Sequence, residues 1–260
     1  MTGQSTATAG PAAPDCPATG RLLVIIPAFN EECALPDLLA SIPARVEAVA
    51  VDALVVNDGS ADRTARVAVA RGGRLVDLPF NVGIGAAVQA GFKYASNRGY
   101  SYAVQCDGDG QHPPDQIATL LAPVVAGVAE VTIGSRFLKQ GATYQTPLLR
   151  RIGISAFDWV NSLVVGRRIT DNTSGFRAYN RRAIEFLSRH YPHDYPEPEA
   201  VVLLARNGFS IEEVGIEMRE RQGGRSSITF LRSGYYMLKV LLAIFVEVFR
   251  ERILPEGERR

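Results

Sequence analysis

Asp107-Gly108-Asp109-Gly110-Gln111 sets two carboxylates on either side of a glycine, with a further oxygen donor two residues on. Carboxylates spaced this way can converge on one hard divalent cation, and Gly108 permits the sharp turn that convergence needs. A cation held there neutralises charge on a departing diphosphate. The same letters also make ordinary turns and calcium loops. An EF-hand is disfavoured, because no acidic residue stands at the loop's twelfth position and no paired helices flank it. The buried strand before the motif and Gln111 after it favour the cation.

A second carboxylate, Asp58, ends the apolar run in Val55-Val56-Asn57-Asp58-Gly59-Ser60 and precedes Asp62 and Thr64. Asp62 reads as a helix N-cap. Asp58 lies before the cap; an acceptor-only carboxylate there suits a base N–H or ribose hydroxyls, the alternative being a satisfied turn aspartate. Asn81-Val82-Gly83-Ile84-Gly85-Ala86 reads as a glycine-rich phosphate loop opening a helix, without the full dinucleotide fingerprint.

These loops need a scaffold, and the chain from Arg21 onward alternates short β-branched runs with Ala-rich amphipathic stretches, the pattern of βαβ units. Strands are predicted at 22–26, 53–57, 74–78, 102–106 and 131–134, with helices near 34–42, 62–71, 85–97 and 114–125. All but the third strand are mainly apolar, which fits an α/β fold with a mainly parallel sheet covered by helices on both faces. Ligands collect at the carboxyl ends of such strands, so the four loops should line one edge. Further on come a helix at 147–165, the turn-rich 171–177, helices at 180–189 and 197–207, a strand at 211–218 and a long element at 228–250. We read residues 1–20, rich in Thr, Ala, Gly and Pro, as a disordered tail, 21–227 as one catalytic domain and 228–260 as a C-terminal extension.

Bulk composition sets limits. The 260 residues are 47% hydrophobic, enough for a sizeable core, and a net charge of +1 excludes the strongly basic balance of a general nucleic-acid binder. Cys16, Cys33 and Cys106 have neither paired nor metal-knuckle spacing, which fits a reduced, cytoplasmic setting.

Five motifs in register carry a family resemblance: Pro27-Ala28-Phe29-Asn30-Glu31-Glu32, Asn57-Asp58-Gly59-Ser60, Asn81-Val82-Gly83-Ile84-Gly85, Asp107-Gly108-Asp109-Gly110-Gln111 and Thr173-Ser174-Gly175-Phe176-Arg177. Over roughly residues 21–230 the chain resembles family 2 glycosyltransferases, and most of all the dolichol-phosphate mannose synthases and their bacterial polyprenyl-phosphate relatives. The resemblance implies a GT-A nucleotide-diphospho-sugar fold. It implies Mg2+ or Mn2+ on Asp107, Asp109 and Gln111, and donor binding by Pro27, Ala28, Asn30, Glu31, Asp58, Gly85, Asp107, Gly108 and Arg221. It further implies catalytic roles for Asp109, Arg136 and Arg177, the two arginines holding the acceptor phosphate through paired guanidinium bonds. In Arg221-Gln222-Gly223-Gly224-Arg225-Ser226-Ser227 the chain departs from the family pattern, with Ser227 where a lysine is usual.

The activity so implied moves a hexose from GDP-mannose or UDP-glucose to a polyprenyl phosphate with inversion. A phosphate monoester is already largely ionised at neutral pH, so the attacking oxygen needs orientation and charge relief rather than a strong base. A hydroxyl acceptor in cell-envelope polysaccharide synthesis is the alternative, and it would need a proton acceptor, for which His112 and Glu199 are the candidates. Nucleotidyl transfer and non-catalytic nucleotide-sugar binding are the other classes in play. At 100° per residue Arg232, Lys239, Glu247 and Arg250 share one stripe opposite Leu238, Leu241, Leu242, Phe245 and Phe249. Such a helix is expected to lie in the interface of the membrane's inner face rather than cross it, or to pack on the domain, a homo-oligomer partner or a membrane protein.

Overall fold

The computed structural model describes residues 20–139 and 169–219, with the isolated positions Lys239 and Ile253. Leu22-Leu23-Val24-Ile25-Ile26 is apolar on both sides of its backbone, so the strand it forms, β1 (Arg21–Ala28), must be covered on both faces. Leu23 and Ile25 turn toward α3 (Ile84–Asn97), α6 (Arg181–His190) and α7 (Pro196–Arg206). Leu22, Val24 and Ile26 turn toward α1 (Leu35–Ser41), α2 (Thr64–Ala70) and α4 (Ile117–Val125). A Cβ on Gly91 would lie 2.3 Å from Ile25 Cγ2, so a side chain there would push α3 off the sheet.

The remaining strands are β2 (Arg45–Val46), β3 (Val49–Asp58), β4 (Arg74–Leu78), β5 (Tyr102–Gln105), β6 (Val131–Ser135), β7 (Arg177–Asn180) and β8 (Ile211–Gly215). Their order is β2-β3-β1-β5-β7-β6-β8, with β4 also on β3. β1 is parallel to β3 and β5, β3 to β4, and β6 to β8. β7 runs antiparallel to both β5 and β6, and the short β2 antiparallel to β3. The sheet is therefore mixed, parallel at its core with two reversed strands. The chain leaves β1 on one side for β3 and β4 and returns on the other at β5, which makes the β1/β5 crevice the switch point where ligands gather in such sheets. Because β7 is reversed, its first residue, Arg177, stands at the same edge as the last residues of β1, β3, β5 and β6.

Candidate active site

The β1 loop is bonded to the β3 loop. Asn30, in the left-handed region at φ 56°, accepts the Ala61 amide on its side-chain oxygen, and its own amide donates to Ser60 Oγ. The Glu31 amide donates to Thr64 Oγ1 and the Glu32 amide to Asp62 Oδ2. Asp62 accepts the Thr64 amide in the turn just before α2, whose N-cap position is Arg63 rather than the expected Asp62, and it also ties down the neighbouring loop. Pro27 accepts the Gly108 amide at 3.2 Å, and a Cβ on Gly108 would come 3.0 Å from the Pro27 oxygen, so glycine lets the β1 and β5 loops touch. Pro27 and Ala28 are buried walls of the crevice, while Asn30 is exposed and Glu31 half-buried on its rim.

Two residues expected at the donor also do structural work. Asp58 is 4% exposed, and its carboxylate oxygens accept the amides of Val82 at 2.7 Å and Gly83 at 3.0 Å. It shapes the β4–α3 loop through both oxygens. Gly85 is buried, and a Cβ there would lie 2.6 Å from His193 Cα, so its smallness serves packing against the 192–193 backbone.

At the end of β5 the Asp107 side chain is 31% exposed, yet its Oδ1 has neither partner nor solvent. The Asp107 carboxyl is pushed up to about 7, first by burial and then by repulsion from Asp109. Asp109 Oδ1 accepts the Gln111 amide at 3.1 Å, which turns the loop back on itself. Gly175 is tight against the pair's base, since a Cβ there would sit 2.9 Å from Asp107 Oδ2. Two converging carboxylates, one carrying an orphaned oxygen, fit a hard divalent cation. Among the described residues no group of three or more His, Cys, Asp or Glu gathers, so the remaining ligands would be waters, Gln111 and substrate phosphate, the manner in which Mg2+ is usually held. His112, 3% exposed, accepts the Asp107 amide on Nδ1 at 2.8 Å and stacks on Phe176. Burial pushes its pKa down to about 4, so it is neutral and occupied as an acceptor, and serves to orient the loop.

The two arginines differ sharply. Arg136, which opens the short helix α5 (Arg136–Lys139) just after β6, has its Nε and Nη2 on the two oxygens of Asp171, each at 2.7 Å, with Nη2 also on Thr173 Oγ1. Its side chain is 32% exposed and that of Asp171 not at all. It stands at the ligand edge as a clamped guanidinium. Arg177 is fully buried and donates to the backbone oxygens of Ser174, Glu197 and Asn172 at 2.8–2.9 Å. The expected direct contact of Arg177 with an acceptor phosphate is corrected by this burial: its donors hold protein carbonyls.

Glu197 was not singled out by its sequence, where Pro196-Glu197-Pro198-Glu199 reads as an ordinary acidic first helical turn. It is half-buried, and burial, followed by the charge of Asp107, pushes its carboxyl up to about 7. Glu199 instead accepts the Tyr195 amide at the start of its own helix. Beyond β8, the Arg219 amide donates to the Gln111 oxygen, which anchors the outgoing chain on the carboxylate loop. Arg221 and Ser227 lie outside the described residues, as do the helix expected at 147–165 and, apart from the exposed Lys239, the amphipathic face expected at 228–250; the Ile253 amide donates to Asn207 Oδ1.

A β1/β5 crevice carrying a carboxylate pair, on a mixed sheet with helices on both faces, has the architecture of a nucleotide-sugar-dependent transferase of the GT-A fold. Glucosyl-3-phosphoglycerate synthase of Mycobacterium tuberculosis, in complex with phosphoglyceric acid, shares the fold with a TM-score of 0.66 at 21% identity, covering 92% of this chain and 82% of that one. The same enzyme with Mn2+, UDP-glucose and phosphoglyceric acid gives 0.64 at 19% identity and the same coverage. Residues 23–187 match Glycosyl transferase family 2. The chain is 34% identical over 231 residues to polyprenol monophosphomannose synthase of Mycolicibacterium smegmatis, covering 85% of this chain and 86% of the relative. It is 33% identical to undecaprenyl-phosphate mannosyltransferase of Micrococcus luteus, covering 80% and 88%. The chain belongs to glycosyltransferase family 2 and is a glycosyltransferase.

Proposed function

We propose that the chain transfers a hexose from a nucleotide-diphospho-sugar, GDP-mannose or UDP-glucose, to a polyprenyl phosphate with inversion at the anomeric carbon. The observation that carries this reading is the placement of Asp107 and Asp109 on the same sheet edge as Arg136. A carboxylate pair suited to the leaving diphosphate and a clamped guanidinium suited to an anionic acceptor then flank one crevice. Mannose is the favoured sugar, because the two relatives above are named for mannose and for polyprenol or undecaprenyl phosphate.

In this mechanism Asp107, Asp109 and Gln111 would hold Mg2+ or Mn2+, which neutralises charge on the departing diphosphate when bound. Asn30 and Glu31, on the rim, meet the nucleotide, with Pro27, Ala28 and Gly108 as its floor. Arg136 orients the acceptor phosphate, whose ionised oxygen attacks in line with the leaving group without a protein base. Arg221 would meet the diphosphate. No helix among the described residues is long and apolar enough to cross a membrane. The 228–260 segment would hold the enzyme peripherally on the inner face, beside its lipid acceptor.

Glu197 favours a second reading. A carboxyl pushed up to about 7, within electrostatic reach of Asp107, suits the base that a hydroxyl acceptor needs. Incubation of the full chain with Mg2+, a short polyprenyl phosphate and labelled GDP-mannose or UDP-glucose separates the two. Chelator-sensitive label in organic solvent supports the lipid acceptor. Release of nucleoside diphosphate without extractable label refutes it in favour of a hydroxyl.

A further inference from the structure

We propose that Arg177 is a positioning residue that couples the two halves of the site, setting the 171–177 loop so that one stretch of backbone aims Arg136 and backs the Asp107 carboxylate. The inference rests on the reading of Arg136 and of the carboxylate pair just given. The loop is short, and each of its residues has a task. Asp171 and Thr173 hold Arg136 by its guanidinium, and the Arg136 amide also donates to Asp171. Gly175 lies against Asp107, and Phe176 stacks on His112, which in turn accepts the Asp107 amide. Between these contacts, Asn172 and Ser174 turn their carbonyls inward onto Arg177.

A guanidinium suits that task because its fork spreads donors across a plane, and here Nε, Nη1 and Nη2 each reach a different carbonyl. The third, on Glu197, ties the start of α7 to the same hub. A lysine keeps the charge but gathers its donors at one point, so it cannot hold oxygens in three directions. Displacing the loop should therefore disturb the cation and the acceptor phosphate together.

The test measures two constants on the full chain: Mn2+ affinity in the presence of GDP or UDP, by electron paramagnetic resonance without turnover, and the KM for polyprenyl phosphate. Arg177→Lys is expected to weaken Mn2+ binding about 10- to 100-fold, the usual effect of losing support behind a metal ligand. It should also raise the acceptor KM on the order of tenfold or more, since small misplacements are costly at a reacting centre. Gly175→Ala should move the Mn2+ constant alone, and Asp171→Asn the acceptor KM alone. A merely destabilised fold would lower the active fraction and leave both constants in place. An Arg177→Lys protein with an altered acceptor KM and unchanged Mn2+ affinity would make Arg177 a direct acceptor ligand and overturn the coupling; unchanged values of both would overturn it too. If Arg177→Lys does not fold, the proposal stands only if Gly175→Ala and Asp171→Asn each move their own constant. A wild-type chain that binds no Mn2+ and transfers no sugar sinks the functional reading itself, and the coupling with it.

Discussion

Replacing Asp58 distinguishes a loop organiser from a nucleotide ligand. Its carboxylate accepts two amide hydrogens, from Val82 and Gly83, in a position 4% exposed. Hydrogen bonds to a charged group contribute about 1.5–3 kcal/mol each. Val82 is 42% exposed, so water can reach the amides once the carboxylate is gone, and the cost falls to the low end, about 3 kcal/mol for both. For a domain of this size that is a drop of about 6–12 °C in melting temperature. Asp58→Asn should recover only part of it, because its NH2 group would face an amide donor. The assay is thermal unfolding without any nucleotide, paired with calorimetric titration of GDP and UDP. The organiser role requires Asp58→Ala to melt early in the nucleotide-free protein, with weaker nucleotide binding as a consequence. A nucleotide-free melting temperature equal to wild type, together with lost binding, would refute this reasoning and restore Asp58 as an open ligand.

Other perturbations bear on the rest of the site. Asp109→Ala should leave a folded protein, by circular dichroism, that has lost chelator-sensitive sugar transfer. Arg136→Ala should raise the acceptor KM and lower the melting temperature, because Asp171 is left buried without its cation; adding Asp171→Asn should restore the melting temperature and not the activity. Glu197 carries a pH signature. Its carboxyl sits at about 7 in the fold against an ordinary 4.5, so the fold keeps a proton that the unfolded chain releases. Stability from this group is lost as pH rises between those values. Glu197→Gln should therefore melt above wild type by a margin that widens from about pH 5 to pH 7 and then levels off; a margin that narrows over that range would contradict the burial of this carboxyl.

What the sequence made legible was local. Asp107, Asp109 and the turn at Gly108 lie within three residues at the end of an apolar strand, so residue type and spacing were enough to place them. The part Asp58 takes in holding a loop was not legible, because its partners, the Val82 and Gly83 amides, lie 24 and 25 residues away and reach it only when β4 pairs with β3. Arg177 shows the complementary failure: a sequence displays its charge and not its burial, and the carbonyls that absorb the guanidinium have no signature. β7 was hidden for a related reason. Four residues following a turn-rich loop and preceding a helix carry too little alternation to read as a strand, and β7 is held by neighbours from 102–105 and 131–133. Glu197 was passed over because acidic residues in a first helical turn are ordinary.

That hidden strand decides how the site is assembled. Were β7 parallel to β5, its last residue, Asn180, would stand at the ligand edge, and the 171–177 loop would enter at the opposite edge, a strand's length from Asp107. Reversal places the N-terminal end of β7 beside the C-terminal ends of β5 and β6, so the loop feeding β7 passes between Asp107 and Arg136. Antiparallel pairing also registers Arg177 opposite both Gln105 and Ile133, two residues before Asp107 and three before Arg136 respectively. The Asp107 carboxylate and the Arg136 guanidinium are thus indexed to a single residue of one central strand. A slip in that register would alter their separation, which is why a buried arginine pinned to three carbonyls suits the position.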